Sequence, residues 1–153
     1  MNQTTVISWT VALLSGLAIG LQVTLNGLTG RLIGARNTGL LVNASGGLIA
    51  LLLILALALT RQGIAWSQIT RLTWAQVGLA GLLGIGIIMG IAFAMPRMGV
   101  AAGLASVLLG QLAFAIVIDT LGLGGGTPIP LSLSRVAGLL LVLIGAWLLL
   151  PKA

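Results

Sequence analysis

Very few side chains in this sequence can do chemistry. Among 153 residues one is acidic and seven are basic, and there is no His, Cys or Tyr. The acid, Asp119, has no second carboxylate to form an acid/base pair with. Without Cys or His there is no thiol nucleophile, no disulfide, and no thiolate or imidazole ligand. The chain therefore reads as a non-enzyme with no metal site and no cofactor. What remains are primary amides in apolar surroundings: Gln22, Asn26, Asn43 and Gln111. One backbone carbonyl cannot satisfy a primary amide, so each needs partners across an interface or in a cavity. These four are the candidate substrate-binding residues, suited to orienting the polar end of a bound molecule. Asp119 is the candidate mouth or coupling group, able to attract a cation or exchange a proton. Its structural alternative is an ion pair with Arg61, Arg71 or Arg135, basic residues near the same membrane face.

The elements that position these groups follow from composition. At 59% hydrophobic, 5% charged and a mean hydropathy of +1.24, the chain is an integral membrane protein. Five apolar stretches, near 6–29, 39–60, 74–95, 100–121 and 134–150, predict five spans in a single transmembrane domain. The first continues well past the length of a signal sequence and reads as a retained span. It carries a polar stripe of Ser8, Ser15, Gln22, Asn26 and Thr29, and a glycine stripe with the GxxxG pair Gly16 and Gly20. In the fourth span Gly99, Gly103 and Gly110 share a narrow face with Ser106 and are candidates for close helix packing. Gln111 falls near the bilayer midplane, and Asp119 about 12 Å further along. Short connections make spans one and two, and three and four, antiparallel neighbours. Between spans two and three, the connection Arg61 to Thr73 reads as an ordinary linker or as an interfacial segment, with Trp66 within it and Trp74 just after it as headgroup-level anchors. The fifth span is nearly all leucine, without a polar stripe, and is expected to face lipid or a partner subunit.

Charge placement bears on orientation. The formal charge of +6 is spread singly through the connections, which gives no nucleic-acid patch. With five spans, Arg61, Arg71 and Arg135 lie on the N-terminal side and Arg31, Arg36, Arg97 and Lys152 on the other. This is a bias of one charge, too small to fix an orientation by the positive-inside rule. Insertion in both orientations, with assembly as an antiparallel homodimer, is the expectation, and the alternative is one weakly specified orientation fixed by a partner protein. Ten helices so arranged reproduce the inverted repeat of many secondary transporters, whose sites lie near the midplane.

The first-helix pattern GLAIGLQVTLNGLTG, with Gln22 and Asn26, and the fourth-helix pattern GQLAFAIVIDTLGLGG, with Gln111 and Asp119, resemble those of the YdcZ-like family of the drug/metabolite transporter superfamily. The resemblance covers essentially the whole chain. It implies an α-helical bacterial inner-membrane protein forming half of a ten-helix architecture. Thr120 and Ser45 stand where that family commonly has a histidine and an aromatic residue. The first helix also lacks the glutamate with which the small multidrug resistance branch couples protons to cations. A membrane interior with few polar groups disfavours polar cargo, which loses its hydration at several kcal/mol per unsatisfied group. The expected function is transport of a lipophilic or amphipathic small molecule, with membrane lipids as partners and lipid itself as one candidate cargo. The alternative is a non-transporting membrane subunit or regulator.

Overall fold

A computed structural model of the chain describes residues 3–60, 69–123 and 127–151. The described residues form five helices: α1 (Gln3–Ile33), α2 (Ala35–Leu59), α3 (Arg71–Met98), α4 (Val100–Leu121) and α5 (Leu133–Leu148). The first four are long and apolar enough to cross a bilayer. At 16 residues, α5 is about 24 Å long, short of the roughly 30 Å hydrocarbon core. Arg61, Trp66 and the rest of 61–68, the glycines at 124–126 and Lys152 lie outside the described residues. Trp74 lies in the first turn of α3 and is exposed.

Two junctions have the same construction. Gly34 alone separates α1 from α2, and Gly99 alone separates α3 from α4, where the sequence suggests short loops. Their backbones match: φ 82° and ψ 154° at Gly34, φ 80° and ψ 158° at Gly99. This region is open essentially only to glycine. Helical hydrogen bonds reach each break from both sides, from Gly34 N–H to the Gly30 carbonyl and from Thr38 N–H to the Gly34 carbonyl, each 3.1 Å. At the other break Gly99 N–H donates to the Met95 carbonyl and Gly103 N–H to the Gly99 carbonyl, each at 3.0 Å. Each break therefore closes one helix and opens the next at a single residue.

The chain divides into two compact units, Leu21–Phe93 and a second comprising Met1–Gly20 with Ala94–Ala153. Within the first, Val23, Asn26, Gly27 and Gly30 recur at helical spacing on α1, and the first three are buried. Gly30 lies on the backbone of Ala92 in α3, so close that a Cβ there would be 2.5 Å from the Ala92 carbonyl oxygen. Gly39 of α2 is likewise covered by Met89 and by the backbone at Ile85. Beside it, Thr38 is fully buried and donates its hydroxyl to the Gly34 carbonyl at 2.9 Å. Small residues are thus what let three helix segments approach, the usual device where lipid offers no hydrophobic drive between helices.

In the second unit, buried Met95 lies over Gly103 of α4, and α4 packs along α5. The least exposed residues of α5 are Arg135, Leu139, Val142, Gly145 and Ala146, one helical face. To the expectation that α5 faces lipid or a partner subunit the structure adds a face committed to α4, while Leu140, Leu141, Ile144 and Leu148 stay exposed. Little of the apolar surface is covered within the chain. Of the most apolar 18-residue windows of α1 to α4, 6%, 0%, 11% and 11% is buried, so lipid or another chain must cover the rest.

Candidate functional site

The end of α4 is built to hold Asp119 in place. Gly122 follows the helix in the left-handed conformation, φ 67°, and a Cβ there would also lie 2.8 Å from Pro128 Cγ. Leu123 N–H bonds to the Ile118 carbonyl at 3.1 Å and Gly122 N–H to the Asp119 carbonyl at 3.2 Å, the paired bonds of a Schellman stop. The returning chain adds Ile129 N–H on the same Asp119 carbonyl at 2.9 Å. Ser132 then caps α5, its hydroxyl accepting from Arg135 N–H at 3.3 Å. The backbone of Asp119 is thereby tied to the stretch of chain that delivers Arg135.

The side chains meet as a result. Arg135 Nη2 donates to Asp119 Oδ2 at 3.1 Å, with the arginine side chain 28% and the aspartate 43% exposed. Of the candidate partners among the described residues, Arg71 and Arg135, it is Arg135 that pairs with Asp119. Arg135 Nη1 is buried and has no hydrogen-bond partner among the described residues. Below the pair, a groove of about 420 Å³ runs between the two helices, lined by Leu112, Ala115 and Ile116 of α4 and by Gly138, Leu139 and Val142 of α5.

A second pocket, of about 310 Å³, lies along the other half of α4. Gln111 closes one end, with Leu104, Ala105, Val107 and Leu108 of α4 and Gly16 and Ile19 of α1 around it. Gln111 is its single primary amide and is exposed. The other three amides lie in the unit Leu21–Phe93. There Asn26 is buried and Gln22 exposed. Asn43 donates Nδ2 to the Gly39 carbonyl at 2.8 Å and presents Oδ1 toward Gly84 of α3.

Hydroxyls in the spans are largely satisfied by their own helices. Ser15 donates to the Val11 carbonyl and Ser106 to that of Ala102, each at 2.9 Å, and Thr120 donates to Ile116 at 2.7 Å. The packing glycines divide. Gly103 receives Met95, Gly99 forms the break between α3 and α4, and Gly16, Gly20 and Gly110 have nothing within 4 Å of where a Cβ would stand. Two features escape a reading of the sequence, the buried hydroxyl of Thr38 and the α5 wall of the groove. A pointer to the groove is present there: the lone acid and Arg135 lie 16 residues apart across a glycine/proline turn.

A chain of apolar helices with a pocket along α4 and an ion pair at the end of that helix fits a membrane carrier, and comparison with known families supplies the rest. Residues 7–148 match the family model DMT_YdcZ, described as "Putative inner membrane exporter, YdcZ". The chain belongs to this family. It is a multi-pass inner-membrane protein and, as a YdcZ-family member, a membrane transporter in the general sense. No curated protein and no solved structure matches the chain.

Proposed function

We propose that this YdcZ-family protein exports a lipophilic or amphipathic small molecule by alternating access, working as an antiparallel homodimer. The observation that carries the reading is the pocket along α4, whose lining is aliphatic except for one amide, Gln111. At about 310 Å³ it is at the lower end of the range for small-molecule sites. Such a lining accepts an apolar body with one polar group and leaves a strongly hydrated solute without enough partners. Gln111 orients that polar group; Gln22, Asn26 and Asn43 supply further amides elsewhere in the chain. The broad uncovered apolar faces of α1 to α4 support a second copy, and the open glycines Gly16, Gly20 and Gly110 are where its helices approach.

The test is export of hydrophobic dyes from proteoliposomes containing only this protein. Gln111→Leu is expected to lower the rate at least tenfold with the oligomeric state unchanged. An unaltered rate removes Gln111 from the site, and the absence of any transport by the purified wild type favours the non-transporting subunit. Orientation is tested separately through the lack of Cys. Asn2→Cys and Lys152→Cys are each expected to label to about half with an impermeant thiol reagent in intact cells. Complete labelling at one end and none at the other rules out the antiparallel homodimer.

A further inference from the structure

Asp119 and Arg135 each sit at the wrong end of their own helix. Asp119 lies in the last turn of α4, where the macrodipole is negative, and Arg135 in the first turn of α5, where it is positive. Neither is favoured by its local helix. They compensate one another with one hydrogen bond, Nη2 to Oδ2, which leaves Nη1 buried without an acceptor and Oδ1 without a donor among the described residues. A buried guanidinium N–H left unsatisfied is costly and points to an acceptor that the chain does not supply. The half-exposed carboxylate has room for a cation. The pair as a whole is neutral, so the ligand that matches it is dipolar rather than singly charged.

The groove beneath sets the shape of that ligand. From Asp119 to Leu112 is seven residues, about 10 Å along α4, and from Arg135 to Val142 the same distance along α5. Over this length the walls are aliphatic, with Gly138 opening the space. Charged groups stand at the helix ends, at headgroup level, and the apolar walls descend into the hydrocarbon region. We infer that the α4–α5 groove holds a zwitterionic phospholipid, its phosphate on the partly exposed Arg135 guanidinium, its ammonium on Asp119 and an acyl chain between Ile116 and Leu139. This lipid site is independent of the transport reading, because the groove shares no lining residue with the Gln111 pocket.

Native mass spectrometry of the delipidated full chain, titrated with short-chain phosphatidylethanolamine, phosphatidylglycerol or phosphoethanolamine, tests it. The expected result is one saturable phosphatidylethanolamine per protomer, bound at least tenfold more tightly than phosphatidylglycerol, and no binding of phosphoethanolamine alone. Arg135→Gln should weaken this at least tenfold, and Asp119→Asn should shift the preference toward the anionic lipid. Because loss of the ion pair can impair folding, Gly138→Leu is the second variant. A Cβ at Gly138 meets nothing within 4 Å, so leucine fills the groove and leaves the pair intact. It should abolish lipid binding without lowering helicity or the unfolding midpoint. The proposal is overturned if phosphatidylglycerol binds as well as phosphatidylethanolamine, if phosphoethanolamine matches the whole lipid, or if Gly138→Leu binds like wild type. A Gly138→Leu chain that loses its dimer, from a wild type that binds no lipid, assigns the groove to a second copy instead.

Discussion

Replacing Gly30 by alanine tests how tightly α1 and α3 are bound to close approach. A Cβ at Gly30 would lie 2.5 Å from the Ala92 carbonyl oxygen, 2.9 Å from Ala92 Cβ and 3.1 Å from its carbonyl carbon. Those atoms are main chain and Cβ, which cannot rotate away as a long side chain would, so the two segments must separate by several tenths of an ångström or more. Overpacking of this kind costs about 1–3 kcal/mol. Alanine in place of glycine inside a helix returns about 1 kcal/mol. The net expectation is a loss of up to about 2 kcal/mol, a factor of up to about 30 in the folded-to-unfolded ratio. Gly16→Ala is the control: a Cβ there meets nothing within 4 Å, so only the propensity gain applies within one chain. Reversible unfolding in mixed micelles with rising dodecyl sulfate fraction, followed by far-UV circular dichroism, measures both. If Gly30→Ala is as stable as Gly16→Ala, the close-approach reasoning is wrong. The control is also informative about assembly, since a loss confined to dimerisation in Gly16→Ala places a partner helix on that face.

Gly34→Ala and Gly99→Ala isolate backbone strain, because neither Cβ would meet a neighbour within 4 Å while φ is +82° and +80°. Each is expected to lose about 1–3 kcal/mol in the same unfolding assay, and unchanged midpoints would refute the requirement for glycine. Asp119→Asn and Arg135→Gln, taken with the double variant, should show a coupling of at least about 0.5 kcal/mol, since the two side chains share a hydrogen bond. Additive losses would mean that the pair contributes nothing jointly.

The polar residues show why some of the site is readable in the sequence and some is not. Gln111 and Asp119 stand out because an amide and a carboxylate are expensive in an apolar helix, and both line pockets. The partner of Asp119 can be narrowed to three arginines but not to one, because the choice depends on how the glycine/proline turn returns. The Schellman stop at Gly122 and the Ile129 hydrogen bond make that choice. Asn26 and Gln22 look alike in sequence, four residues apart on one polar stripe. Only the packing of unit Leu21–Phe93 buries the first and leaves the second exposed.

By itself the sequence determined the class, the number of helices and the bounds of α4, since hydrocarbon thickness and the cost of an unsatisfied backbone leave few choices for so apolar a chain. Helix ends were less well determined. The chain stays helical at 3–33, beyond the apolar stretch at 6–29, because backbone hydrogen bonding rather than hydropathy ends a helix. Tertiary structure alone decided what the glycines do. Among 23 of them nothing in composition marks Gly34 and Gly99 as breaks, Gly30 and Gly103 as contact points, or Gly16 and Gly20 as open. A residue without a side chain carries no hydropathy signal of its own, so its role is set wholly by the backbone and by what lies next to it.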